Sequence, residues 1–223
     1  MRKIILVTFI LVAQLGIAQT IKQVGEFTSL KVFDKINATL VPSDEYKVEL
    51  SGTDAGNVEI VNKNGSLRIK MALSKTLQGD DVKAIVYYKN LDAIEVNEGA
   101  SVKSDATLDD VSLTINVKTG GKIHLKVQVE RLNVKANTGG ITTIKGKAKM
   151  QDIIANSGAM VYHKDLESEQ TDVTVNAGGE AEVRATKLVD AKTRAGGKIT
   201  VYGEPKTLNE KIIAGGTIKK VKK

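Results

Sequence analysis

The chain has 223 residues, no cysteine, no tryptophan and a formal charge of +7. The lack of cysteine excludes a disulfide scaffold and thiolate metal sites, and the length suits one domain, or two small ones, that needs no covalent staples. Aromatic residues make up only 4%; without any nucleic-acid motif, that argues against a nucleic-acid partner.

The first segment, MRKIILVTFILVAQLGIAQT, places Arg2 and Lys3 before an apolar run from Ile4 to Val12 and small residues at Gly16 and Ala18. That is the order of a secretory signal. Cleavage is predicted after Ala18, so residues 1–18 are read as a signal peptide and 19–223 as the mature chain. Loss of Arg2 and Lys3 from the +7 total leaves +5. The predicted compartment is extracytoplasmic: periplasm, outer-membrane surface or medium. No other segment is apolar enough to cross a bilayer, so no transmembrane span is expected in the mature chain.

Strand-like runs follow at 27–33, 36–41, 45–50, 57–62, 66–72 and 82–88. Asn64-Gly65 lies between two alternating runs and signals a hairpin. VPSDEYK and SGTDAGN read as turns, and SKTLQGDD, 74–81, as the mobile loop. Residues 19–98 are therefore expected to form an irregular β cap, with antiparallel pairing or longer coils, over one end of a stack.

From residue 99 a glycine pair or its Gly-Ala variant recurs. It stands at Gly99-Ala100, Gly120-Gly121, Gly139-Gly140, Gly158-Ala159, Gly178-Gly179, Gly196-Gly197 and Gly215-Gly216, at intervals of 21, 19, 19, 20, 18 and 19. After each pair, inward candidates such as Val102, Ile123, Val161 and Ile199 alternate with polar residues. Before the pairs, Val111, Leu113, Ile115 and Val117 alternate likewise, as do Leu132, Val134 and Ala136. Period-2 alternation marks strands with one buried face. A unit of about nineteen residues cannot bury that face alone and must stack on its neighbours. The prediction is all-β: a parallel β-helix whose regular coils span 99–223, continuous with the cap as one domain, 19–223. The glycines are placed at one corner of every coil, where a positive φ or close backbone approach is needed; Ala100 and Ala159 make the second site of the pair read as the less demanding. Asn137, Asn156 and Asn176 precede the corner in consecutive coils and are expected to stack as a hydrogen-bonded ladder.

FDKINATLVPSDEYKVELSG, 33–52, followed by NGSLRIKM and the serial GG-x-I coils, resembles the putative auto-transporter adhesin, head GIN domain family of Bacteroidetes-type bacteria. The resemblance implies a secreted right-handed parallel β-helix and carries over no catalytic or binding residue. An auto-transporter also needs a membrane barrel with aromatic girdles; the chain runs out in TIKKVKK, so another export route is expected.

Chemistry is sparse on this reading. Asp80-Asp81 and Asp109-Asp110 are read as turn residues, and Asp105 and Asp165 lie three coils apart. His124 and His163 fall on opposite parities, one facing out and one in, so no joint metal site is expected. Neither catalytic residues nor a cofactor are predicted. Tyr162 and Tyr202 are expected to share an outward column, two coils apart, in line with Thr143, Glu182 and Thr200, as a shallow binding strip. The function expected is non-enzymatic: an adhesin or interaction scaffold of the envelope or surface, with a cell-surface polysaccharide or envelope protein as partner. The alternatives are a polysaccharide-acting β-helix enzyme and an end-to-end assembling structural protein. Lys219, Lys220, Lys222 and Lys223 argue against the last, because edge lysines discourage strand pairing.

Overall fold

The computed structural model describes residues 20–221; the predicted signal peptide, Gln19, Lys222 and Lys223 lie outside them. The alternating segments after residue 100 form five long strands: β9 (Ser101–Val117), β10 (Lys122–Ala136), β11 (Ile141–Ala155), β12 (Met160–Asn176) and β13 (Glu180–Arg194). Each begins on one sheet face, bends, and ends on a second face, so that one strand makes most of one coil. Neighbouring coils pair in parallel and in register, as in Ile123 with Val102 and Thr142. The next coil is split into β14 (Gly197–Tyr202) and β15 (Thr207–Ile213), and β16 (Gly216–Val221) adds a last strand to the first face. The result is a β-solenoid of about seven turns with coils of about 19 residues.

Register shifts fall at the bend between the faces, for example between Thr143 and Gly146 and between Tyr162 and Glu167. Extra residues are absorbed there, which leaves corners and faces aligned although the intervals differ. Val111, expected to face in, stands at this bend and is 72% exposed.

The N-terminal part continues both faces. On the first face the order outward from β9 is β3 (Asn37–Pro42), β7 (Lys83–Tyr88), β4 (Lys47–Ser51) and β1 (Thr20–Gln23). On the second it is β8 (Ala93–Val96), β2 (Ser29–Val32), β6 (Ser66–Met71) and β5 (Val58–Lys63). Pairing is parallel up to β7 and β6, then antiparallel at β4, β1 and β5. Antiparallel strands at the stack's end can be joined by tight turns. The hairpin at Asn64-Gly65 is present, with φ of +52° and +73°. Phe27 fills this end, edge-on to Tyr46 with ring centroids 5.5 Å apart.

The layer of β2 and β3 lies inside that of β6 and β7, although it precedes it in sequence. Its corner, Phe33-Asp34-Lys35-Ile36, has φ of +58° at Asp34 and +64° at Lys35 without any glycine. In the outer layer a longer segment, 72–82, replaces the corner. This segment contains the expected mobile loop, yet it is tied down. Buried Asp34 accepts the N–H groups of Met71 (3.0 Å) and Leu77 (3.2 Å) on its carboxylate, and that of Gly79 on its carbonyl (3.1 Å). Asp80 pairs with Lys35 at 3.3 Å, and Asp81 accepts the N–H of Thr53 at 3.1 Å.

Stacked aliphatic columns fill the interior, for example Ile115, Val134, Ile153, Val173 and Ala191, all nearly inaccessible. Each fully buried Ile or Val contributes about 1.5–3 kcal/mol. The columns run out at β15 and β16, where register puts Glu210 beside Ala191 and Lys220 beside Val201.

Candidate functional site

The corner is a turn with two successive left-handed residues. In the seven glycine-bearing corners the residue before the pair has φ between +47° and +54°, and the first glycine between +69° and +82°. In five consecutive coils the second residue of the pair donates its N–H back across the turn, as Gly140 does to Asn137 (3.0 Å). The first residue's N–H reaches the next coil, as Gly139 to Ser157 (3.1 Å) and Gly120 to Thr138 (3.0 Å). The two glycines thus answer different demands. Gly139 has the positive φ, and a Cβ there would meet open space. Gly140 lacks a positive φ, but a Cβ would lie 2.7 Å from the Val117 carbonyl oxygen of the preceding coil; Gly121 and Gly197 are equally tight against Val96 and Val175. At these coils the second site is the sterically tighter one, contrary to the inference drawn from Ala100 and Ala159.

Beside the corner, Asn176 donates to Asn156 Oδ1 at 2.7 Å, and Asn156 to Asn137 Oδ1 at 2.8 Å. One coil beyond Asn137, Lys118 turns instead to Glu95, 3.0 Å away.

Tyr162 and Tyr202 do not share a column. Register pairs Tyr162 with Thr143 and Glu182, and Glu182 with Thr200. Tyr202 pairs with Arg184 and Val221, one outward step further along the strand. The cause lies in the count: Tyr162 stands three residues after its pair and Tyr202 five, and outward positions recur every two. The two rings still flank one acid, because the Tyr202 hydroxyl donates to Glu182 Oε1 at 3.3 Å. Both are half-buried, so the strip is shallow.

His124 is exposed and His163 fully buried. His163 anchors a polar network inside the coils of β11 and β12. The Gln151 amide donates to Thr171 (2.9 Å) and Ser168 (3.2 Å), so its carbonyl oxygen accepts from His163 Nδ1 at 3.2 Å. Nε2 then accepts from the Thr142 hydroxyl at 3.1 Å, and Ser168 donates to the Arg184 carbonyl at 2.7 Å. Burial pushes the imidazole pKa down to about 3, so the ring is neutral at physiological pH. With both nitrogens engaged and no access to solvent, it has the character of a structural group.

One constellation escaped forward counting from the glycine pairs. Asp152, Asp172 and Asp190 lie in register on the outer side of the second face, between Asn133 and Asn209. Counting back six residues from the first glycine of the next pair aligns them, because length variation sits upstream at the bend. Arg131 neutralises Asp152 at 3.0 Å and Asn209 donates to Asp190. Burial, followed by the charges of Asp152 and Asp190, holds the Asp172 carboxyl above its ordinary range.

Along the bend runs a shallow depression of about 590 Å³, lined among others by Asp92, Asp109, Asp110, Gln128 and Glu130. Asp109 accepts from Gln128 (3.1 Å) and Asp110 from the Val111 N–H (2.6 Å). Further along the bend, charges pair one coil apart: Lys149 with Glu130 at 3.2 Å and Lys187 with Glu169 at 2.6 Å.

Among solved structures, a putative adhesin from Bacteroides fragilis has a TM-score of 0.85 at 20% identity, covering 91% of this chain and 96% of its own. A putative lipid binding protein and a putative adhesin, both from Parabacteroides distasonis, have TM-scores of 0.68 and 0.67 at 16% and 22% identity, with the same coverage. At such identities the likeness concerns the fold. No curated protein matches the chain in sequence. The profile of one family matches residues 26–205, most of the coils and the cap. The chain belongs to the putative auto-transporter adhesin, head GIN domain family.

Proposed function

We propose that this protein is a non-enzymatic, exported component of the cell envelope or surface that acts by binding, with an envelope polysaccharide or protein as its partner. The observation that carries this reading is the register of the coils. Outward side chains from successive coils line up in straight columns about 4.8 Å apart, as in Lys103, His124, Thr143, Tyr162, Glu182 and Thr200. Such a face meets an extended partner along its length. Membership of an adhesin-named family supports the same reading, as does the leader-like order of Arg2, Lys3, the apolar run and Ala18. We take 19–223 as one cooperative unit with 19–98 as its cap, which should unfold in a single transition.

Protease treatment of intact cells tests the reading, with lysed cells and a periplasmic marker alongside. Loss of the chain from intact cells while the marker survives is the expected result. Digestion only after lysis would move the protein to the periplasm and end the adhesion reading. The acidic depression at the bend favours a second reading, a polysaccharide-cleaving enzyme. That reading requires release of new reducing ends from acidic or neutral glycans, abolished by Asp109→Asn.

A further inference from the structure

Some of the charges on this solenoid are neutralised one coil away. Lys149 has Glu130, Lys187 has Glu169, Lys198 has Glu180 and Arg131 has Asp152. On the first face of the coils of β9, β10 and β11, and where it enters the bend, cations gather without such partners. Lys103, Lys122 and His124 project outward from the face, and Lys126 and Lys145 from its edge at the bend; all five are exposed, with Asp105 as a carboxylate among them. None of the four lysines makes an ion pair among the described residues. Lys126 and Lys145 are direct register partners, and Lys103 pairs with His124. Like charges placed opposite one another on a sheet are destabilising. The fold gains nothing visible from this arrangement, whereas an anionic partner would.

We propose that this face is a docking surface for a linear acidic polysaccharide. The inference rests on reading the protein as an interaction module and names the partner's chemistry. The cations cover three coils, roughly 10 Å across the strands, and about 13 Å along them from Lys122 to Lys126. That open footprint suits several repeats of a polyanion, not one buried anion. Hydroxyl and amide groups border it: Thr143 lies beside His124, Thr39 beside Lys103, and Ser101 donates to Asn37 at 2.7 Å. Sugar hydroxyls find partners there. The exposed large apolar side chains of the described residues, such as Val61, Leu73 and Ile212, lie elsewhere, so this face offers a bilayer no insertion. Beyond β11 the face turns acidic at Glu167, Glu180 and Glu182, which sets one limit to the site.

The test is binding of the purified protein to immobilised polygalacturonate at two salt concentrations. Neutral dextran, duplex DNA and phosphatidylglycerol vesicles are run in parallel. A K126Q/K145Q double variant is compared with a K89Q/K135Q variant of equal charge, whose exposed lysines lie away from this face. Salt-sensitive binding to polygalacturonate is expected, weakened at least tenfold in K126Q/K145Q and unchanged in K89Q/K135Q. The K126Q/K145Q protein should melt no lower than the parent, since it loses only repulsion. Equal weakening in both variants, no binding to polygalacturonate, or tighter binding to DNA or vesicles would each overturn the proposal. Because the assay uses purified protein, its failure is separable from failure of the cell-surface assignment.

Discussion

Gln151 lies in the coil next to His163 and accepts a hydrogen bond from its Nδ1 at 3.2 Å, inside a core otherwise built from aliphatic columns. The amide's other end is committed to Ser168 and Thr171, which fixes its orientation and with it the tautomer of the ring. A buried network of this kind is stable only while every member is satisfied.

Stability should therefore fall in acid through His163. Its pKa is near 6.5 in the unfolded chain and pushed down to about 3 in the fold. Between those values only the unfolded chain takes up the proton. Stability present above pH 6.5 is lost as the pH falls towards 3, at about 1.4 kcal/mol per pH unit. His163→Leu removes this dependence while leaving Thr142 and Gln151 short of a partner. Denaturant unfolding should find the variant less stable at pH 7.5, with the gap narrowing by roughly 2 kcal/mol at pH 5. A gap that stays constant would mean that the imidazole titrates in the folded protein.

The two corner glycines should respond differently to alanine. Gly139→Ala introduces a Cβ into open space at positive φ and should cost about 1 kcal/mol. Gly140→Ala drives its Cβ against the Val117 carbonyl 2.7 Å away and should cost about 3 kcal/mol, in the range of overpacked cores. Thermal melts of the two variants read the order directly; the reverse order would contradict the steric assignment.

Asp34 should prove the anchor of the 72–82 segment. Asp34→Ala strands the N–H groups of Met71 and Leu77, which now meet its carboxylate. A loss of about 2–3 kcal/mol is expected for one buried and one half-buried donor left unpaired. Hydrogen exchange should show faster amides at Met71 and Leu77, with little change in β12. Unchanged protection at both amides would show that the segment is held by its other contacts.

Asp172→Asn should stabilise the protein slightly. Burial and two flanking carboxylates already disfavour its charge. Because its folded pKa lies above the unfolded one, the penalty is present at neutral pH and disappears as the pH falls through the folded pKa. Exposure to solvent keeps the gain to a few tenths of a kcal/mol at pH 7. Melts at low and high salt should show the gain shrinking as screening rises; a loss of stability at pH 7 would mean that the carboxylate has a favourable partner.

The repeating chemistry was legible from the residues alone. Glycine pairs at near-constant spacing, with alternation on either side, specify stacked coils, and parity alone sends His163 in and His124 out. Asn64-Gly65 specifies its hairpin because only a few residue types accept two positive φ angles in succession. The corner at Asp34-Lys35 carries no such mark. Its conformation is held by hydrogen bonds from other layers, including Lys35 N–H to the Glu98 carbonyl at 2.9 Å, and no local pattern announces contacts made across 63 residues. Nor could local reading find that β2 and β3 are overlain by β6 and β7, since pairing order is decided by which edges remain free. The columns were legible only as far as coil length is constant. Residues inserted at the bend shift every position counted forward from the glycines, so the Asp152–Asp172–Asp190 column and the separation of Tyr162 from Tyr202 emerge only from the register of the folded sheet. The unpaired lysines on the first face follow the same logic: charge is written in the sequence, but whether a charge has a partner depends on distance in three dimensions.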